Sequence, residues 1–485
     1  MRAAGKTAKL PSMGQEIGDA EFSDEAFAEF ARRVAAETEL LTAWEKDGLL
    51  AEVDYRLGFE LEGWLVDRDY LPAPRNLEFL ERVQDPDVVP ELARFNFEIN
   101  DDPLDFSAGM FDHMHRSLLA RWQRCEAAAH ELDMQALSIG ILPTVTRRDL
   151  SLGNISPLSR YHALNEQVFR LRNGQPIELY IEGAQALRTL HDDVMLESAA
   201  TSLQIHLQVS SHEVVRAFNA AKILSAPMVA IGANSPFFLE RQLWAETRIP
   251  LFEQAVGVGG SDYSKRVTFG IRYAQQSILE CFEANRDRYP VLLPDLMDVA
   301  QEELAHLRLH NGTIWRWNRP LIGFDAQARP HYRVEHRVVA AGTSANDLVA
   351  NTAFFVGLVL SLLGMPEAAE KRLPFATARD NFYRAAEHGL EARVQWLHGA
   401  PGRLGDLILE QLLPLAAMGL QRIRVPADEA RRWLSIVEQR VRSGRTGSAW
   451  QVAWIDKFGP NWPGLVQAYS AQQEEGRPVH EWELS

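Results

Sequence analysis

Four stretches of the chain alternate between apolar and polar positions, the period that predicts strands with one buried face. Gly58-Phe-Glu-Leu-Glu-Gly-Trp64 sets Glu60 and Glu62 on one face and Phe59 and Leu61 on the other. Phe95–Asn100 sets Asn96, Glu98 and Asn100 opposite Phe95, Phe97 and Ile99. Thr201–Val209 sets Gln204, His206 and Gln208 opposite Leu203, Ile205, Leu207 and Val209. His331–Arg337 sets Arg333, Glu335 and Arg337 opposite Val334 and His336, a less clean apolar face. Two carboxylates about 7 Å apart on one strand face repel each other and, if buried, need a cation. One such strand reads as a sheet with a solvated face. Four of them suggest a shared floor.

Between these strands the spacing turns helical. Residues 22–50 carry that period, with Ser23 as N-cap and Gly48 near the stop. Helices are expected at 78–83, 111–132, 160–172 (stopped by Asn173-Gly174) and 214–231. Residues 135–142 read as a core strand ended by Pro143, and 144–160 as a substrate-side loop. From Asn346 the chain reads as helices at 346–363, 376–398, 404–420 and 427–446. Leu404, Leu407, Ile408, Leu412 and Leu415 form an apolar stripe on the third, which Pro414 should kink. The pattern divides into an N-terminal helical segment (1–52), a strand-bearing region (53–370) and a C-terminal helical extension (371–485). The extension reads as a cap or a homo-oligomer contact.

Composition narrows the function classes. With 485 residues, 46% hydrophobic and 24% charged, the chain is long enough for a large core. A net charge of −16 argues against a nucleic acid or an anionic membrane as partner. The first 15 residues lack a continuous apolar stretch, so no signal peptide is expected. The apolar run 348–366, bounded by Asp347 and Glu367, reads as a buried helix rather than a membrane span. The expected compartment is the cytoplasm. Cys125 and Cys281 make no disulfide framework and read as inert thiols. Gly257–Gly260 lacks the Lys-Ser/Thr of a P-loop and reads as a flexible loop.

The polar faces of the four strands are drawn mainly from metal-ligand and hydrogen-bonding residue types. Carboxylates with one imidazole suit a hard divalent cation, Mg²⁺ or Mn²⁺. Arginines beside them suit phosphate oxygens. The face therefore has the makings of a metal–nucleotide floor.

GFELEG, NFEIN, SLQIHLQV, ANSPFF…WAETRIPLF, IWRWNRP and RVEHR…AGT stand in that order over residues 55–365. The ordered set resembles the glutamate–cysteine ligase type 2 (carboxylate–amine ligase) family, and the tail beyond 370 lies outside the resemblance. The resemblance implies an α+β, glutamine synthetase-like fold: a curved, mostly antiparallel sheet with helices on its outer face. It implies ATP-dependent joining of a carboxylate, glutamate by the family's example, to a small amine. By the same resemblance Glu62 and Glu98 would hold one ion, and Glu60, His206 and Glu335 another, with Asp105 a further ligand left open. Arg333 and Arg337 would take the transferring phosphoryl group, and Arg316 and Arg319 other ATP oxygens. Arg248, in the loop that the resemblance sets near the amino-acid pocket, would fork onto a substrate carboxylate, with Gln204 beside it. Two readings stay beside the ligase: a guanidino kinase using the same floor, and a non-catalytic metal or nucleotide binder.

Overall fold

The computed structural model describes residue 17 and residues 22–259, 265–397 and 399–484. The expectation for the N-terminal 15 residues lies outside the described residues, as does Gly260 of the glycine-rich loop. The strands, in chain order, are β1 Arg56–Val66, β2 Val88–Pro90, β3 Asn96–Asn100, β4 Leu104–Asp105, β5 Gln135–Leu137, β6 Ile177–Glu182 and β7 Ala186–His191. They continue with β8 Ser202–Gln208, β9 Phe237–Phe238, β10 Arg241–Gln242, β11 Asn318–Phe324, β12 Pro330–Ala340, β13 Arg393–Val394 and β14 Gly402–Arg403. The main sheet runs β11-β12-β8-β1-β3-β2, with β4 and β5 also on β1. Every pairing in it is antiparallel. This is the expected α+β architecture.

All four expected strands lie in that sheet, and their faces divide as the alternation requires. One face is a continuous apolar row: Leu203 opposes Leu61, which opposes Ile99, which opposes Val88. These side chains join the main hydrophobic core with helices Met110–Glu131, Val214–Ile231 and Ala345–Leu363. Gly63 on β1 is dictated by that packing, since a Cβ there would stand 2.6 Å from the Phe97 ring opposite it. His336 also belongs to the core face. Its ring stacks on Phe355 at 4.2 Å and its Nδ1 bonds Asn318 Oδ1 at 2.7 Å.

Most helices form where periodicity sets them. Asp24–Lys46 is capped by Ser23, whose hydroxyl accepts from the Ala26 amide. The two most apolar helices, Val214–Ile231 and Ala345–Leu363, are long enough to cross a membrane but lie inside the core. Helix Phe375–His388 ends ten residues short of expectation, because Gly389 takes a left-handed φ of +57° and breaks the ladder. The expected kink at Pro414 takes the form of a π turn, Ile408–Leu412, before the helix Leu413–Arg422. Proline cannot donate to the carbonyl four back, and one wider turn absorbs the loss.

Among the described residues neither flank has a core of its own. Leu404, Ile408, Leu420, Trp433 and Val437 from the tail belong to the same apolar cluster as the sheet. Asp347 and Arg440 make a buried ion pair at 2.6 Å between the helices Ala345–Leu363 and Ala427–Ser443. Residue 370 therefore marks no boundary in the packing.

Candidate active site

The polar face of the sheet floors a cavity of about 600 Å³. Strand register sets its plan, since directly opposed residues share a face. Arg319, Glu335 and His206 form one row across β11, β12 and β8. Gln204, Glu60 and Asn100 form a second across β8, β1 and β3. Glu62 and Glu98 face each other across β1 and β3. Arginines thus gather at the β11–β12 edge and carboxylates toward β1 and β3.

The carboxylates repel one another in a dry place. Burial, then Glu335, lifts the carboxyl of Glu60 above its ordinary value. Burial, then Glu91, lifts Glu62. Burial, then Glu60 and Glu91, lifts Glu98 well above it. Glu197, which sequence reasoning missed, is pushed up to about 8 by burial and by Glu91 and Glu62. Glu62 is the most firmly placed, accepting from the Ser202 amide at 2.6 Å and Gln204 Nε2 at 2.9 Å. Glu98 accepts from Asn100 Nδ2 at 2.8 Å.

Glu335 behaves in the opposite way. Burial alone would lift it, but Arg319, Arg337 and His206 outweigh that and hold it well below the usual carboxylate range. Arg319 reaches it with Nε at 3.1 Å and Nη2 at 2.9 Å, and Arg337 Nη1 stands at 3.3 Å. Beside it, burial lowers His206 to about 3, so the imidazole is neutral. Its Nε2 is buried without a hydrogen-bond partner, 3.5 Å from Glu60 Oε1 and 3.8 Å from Glu335 Oε2.

These observations test whether a divalent cation suits the face. A neutral imidazole with an unpaired ring nitrogen, next to carboxylates that repel one another, is a donor set for a hard or borderline cation. Among the described residues no group of three or more acidic, histidine or cysteine side chains stands close enough to hold a metal ion unaided. The face fits an ion that takes part of its shell from substrate oxygens and water, as Mg²⁺ does at phosphate sites.

Of the expected residues, Glu60, Glu62, Glu98, Gln204, Arg319, Arg333 and Arg337 line the cavity. His206 and Glu335 lie in the floor beside them. Arg333 Nε is buried and unpartnered. Three residues named from the sequence lie outside this cavity's lining. Arg316 is three positions from Arg319, an odd step along the chain, and opens onto a different cavity. Asp105 pairs with Arg56 in an exposed contact at 2.7 Å and is absent from the lining. Arg248 is buried and serves the backbone. The pairing of β12 with β8 shifts register between His336 and Val339, and such irregularities leave ladder carbonyls in need of donors. Arg248 Nη2 donates to the carbonyls of Arg337 (3.3 Å) and Val338. Its Nε meets Glu246 Oε1 at 3.2 Å. It supports the strand that carries Arg337.

The cavity also recruits residues that no local pattern marked. Glu91, Glu197, Arg160, Tyr161 and Arg308 line it, with an apolar wall that includes Phe282, Met297, Trp315 and Ile322. Arg160 Nη2 donates to the Tyr161 hydroxyl at 2.6 Å. Arg160 closes the expected substrate-side loop, and Trp315 belongs to the IWRWNRP block.

No curated protein sequence matches this chain. Among solved structures it resembles glutamate–cysteine ligase from Francisella tularensis in complex with AMP, at 12% identity and a TM-score of 0.55, covering 90% of this chain and 91% of that one. A bifunctional glutathione synthetase from Pasteurella multocida matches at 11% identity and a TM-score of 0.47, over 86% of this chain and 52% of that one. The first likeness supports the glutamine synthetase-like fold. The model of glutamate-cysteine ligase family 2 matches residues 56–475, so the chain belongs to that family of ATP-dependent carboxylate–amine ligases.

Proposed function

We propose that the chain joins the side-chain carboxylate of glutamate to a small amine, cysteine by the family's example, through an acyl phosphate. The observation that carries this reading is the division of one buried face into an arginine edge and a carboxylate edge around a single cavity. A carboxylate attacking the γ-phosphate of ATP needs cations on both sides of the transferring group. Arg333 and Arg337 project from β12 toward that position, and Arg319 adds a third guanidinium for ATP oxygens. Glu335 holds two of these arginines in place at once. Glu62 and Glu98 would hold one Mg²⁺ (or Mn²⁺), and Glu60, His206 and Glu335 a second. Such ions, when bound, neutralise charge between phosphate and carboxylate. The apolar wall with Trp315 and Phe282 offers a flat, dry surface for the nucleotide base, and limits the water that would hydrolyse an acyl phosphate.

The balance is simple. A carboxylate oxygen bonds the γ-phosphorus as ADP leaves. The amine nitrogen then bonds the carbonyl carbon, loses a proton, and phosphate departs with that oxygen. The test is a panel of amino acids and amines with ATP and Mg²⁺, followed by product mass and phosphate isotope content. Glutamate labelled with heavy oxygen in its side chain should transfer label to phosphate, and the product should be lighter by one water than its two substrates together. A product heavier by a phosphoryl group would instead indicate a kinase. Nucleotide binding without turnover would indicate a lapsed enzyme. Amide product with unlabelled phosphate would refute the acyl phosphate.

A further inference from the structure

A second cavity of about 200 Å³ lies against helix Leu279–Arg288, lined by none of the residues that line the first. Phe282 of that helix faces the catalytic cavity, whereas Cys281, Ala284 and Arg288 face the second one. Two cations stand in its wall. Lys222 is 2% exposed, donates to the Phe269 carbonyl at 2.8 Å, and is ringed by Phe218, Phe269 and Phe375 at 4.8, 5.4 and 6.0 Å. Arg316 is 6% exposed, lies over the Tyr289 ring at 5.4 Å, and its Nη1 is buried with no hydrogen-bond partner.

Among the described residues no carboxylate pairs with either cation. Glu280, on the same wall, is committed to Arg272 at 2.8 Å and to the amides of Gln275, Gln276 and Ser277. Asp287 is committed to Arg286 at 2.7 Å. The Tyr273 hydroxyl, also in the lining, is unpartnered. Gly270 leaves the ammonium uncovered, since a Cβ there would stand 3.1 Å from Lys222 Nζ. Counting the whole lining, Lys222, Arg272, Arg288 and Arg316 outnumber Glu280, Glu283 and Asp287.

Two buried cations sharing one small cavity repel each other, and a buried charge without a counter-ion is costly. A guanidinium edge, an ammonium and a phenol hydroxyl are the donors that a compact oxyanion takes up. We infer that this cavity is a second anion site, built for a small oxyanion of the phosphate type and held by Lys222, Arg316 and Tyr273. It lies behind the helix whose other face forms part of the catalytic wall, so its occupancy would steady Phe282. The inference stands on these residues alone and does not depend on the reaction proposed above.

Cys281 lines the site and is half-buried, which makes it a reporter in the unmodified protein. Alkylation of Cys281 by iodoacetamide, located by peptide mass, should slow several-fold in millimolar phosphate relative to chloride at equal ionic strength. Sulfate should act like phosphate, and acetate should act weakly. The effect should vanish in Arg316→Gln and persist in Arg333→Gln. Equal rates in phosphate and chloride would overturn the inference. So would protection as strong in acetate as in phosphate, or protection that survives Arg316→Gln and is lost in Arg333→Gln, which would place the anion in the catalytic cavity.

Discussion

Arg319 grips Glu335 through two nitrogens, and the pair is wholly buried at the arginine edge of the sheet. Glu335 is therefore a structural counter-ion as well as a candidate metal ligand. Read from the strand alone, Glu335→Gln would abolish turnover and leave the fold untouched. The structure changes the second half of that expectation. The neutral amide leaves the charges of Arg319 and Arg337 without their counter-ion, and a charge-assisted bond is worth about 1.5–3 kcal/mol. Glu335→Gln should lose turnover and also melt measurably lower. An unchanged melting temperature would show that the arginines have other partners.

Arg333 supplies the contrast. Among the described residues it forms no ion pair with Glu335, and its Nε is unpartnered beside the cavity. Arg333→Met should therefore remove turnover with little loss of stability, measured as rate and melting temperature on the same preparation. A large fall in stability with activity retained in the folded fraction would reverse its role.

The floor was legible because ligand types recur at period two, and register makes that period a shared face. Glu60, Glu62, Glu98, Gln204, Arg333 and Arg337 reached the cavity for that reason, whereas Arg319 was reached through the family resemblance. Arg316, named with Arg319 from the same block by resemblance, lies ahead of the strand that begins at Asn318 and opens onto the other cavity. Arg248 misled because an arginine able to fork onto a carboxylate is equally able to fork onto the carbonyls of an irregular strand. Glu91, Glu197 and Arg308 come from a loop, a 3-10 turn and a helix distant in sequence, and no local period links them. The tail was the largest omission. Its helices carry no ligand-like cluster, yet the family match runs to residue 475 and the tail packs into both apolar clusters of the strand-bearing region, through residues 404–441 into one and 450–482 into the other.

That sharing has a mechanical test. Helices Ala345–Leu363 and Leu413–Arg422 approach closely through Gly357 and Gly419. A Cβ on Gly419 would stand 1.8 Å from the Gly357 carbonyl oxygen, and one on Gly357 would stand 2.4 Å from that of Ala416. These are backbone atoms, so the helices must separate. Overpacking of this kind costs about 1–3 kcal/mol and sometimes more. Gly419→Ala should lower the stability of the whole protein in one transition, followed by denaturant unfolding. A separate early transition confined to the tail would mean that the extension is its own unit.

The thiols should be dispensable for chemistry. Cys125 is buried in the core, with its thiol pushed up to about 12 by burial, and Cys281 faces the second cavity. The double variant Cys125→Ser with Cys281→Ser should keep turnover in its folded fraction, at some cost in stability for the buried hydroxyl. Complete loss of turnover in a well-folded double variant would reveal a covalent or redox step.

The carboxylate edge predicts how stability responds to pH and to metal. Glu60, Glu62, Glu98 and Glu197 bind protons more tightly in the folded protein than in the unfolded chain, Glu197 up to about 8. Between the ordinary carboxylate value and about 8 the folded state therefore holds more protons. Stability from these groups must fall as pH rises through that window, with the full penalty present above it. Other groups bound the range in which this can be read. His206, His310, His331 and His336 are buried neutral, so they add stability with rising pH only up to their unfolded value of about 6.5. Lys222, lowered to about 8 by burial, adds stability again above that value. From about pH 6.5 to about pH 8 the carboxylates should dominate, and the melting temperature in chelator should decline. Mg²⁺ or Mn²⁺ should raise it, and more so at the upper end, because an ion bound to the ionised carboxylates replaces the missing protons. Glu60→Gln should flatten the decline and weaken the metal effect together. A melting temperature in chelator that rises across this window, or a metal effect equal at both ends, would show that the repulsion is not carried by this face.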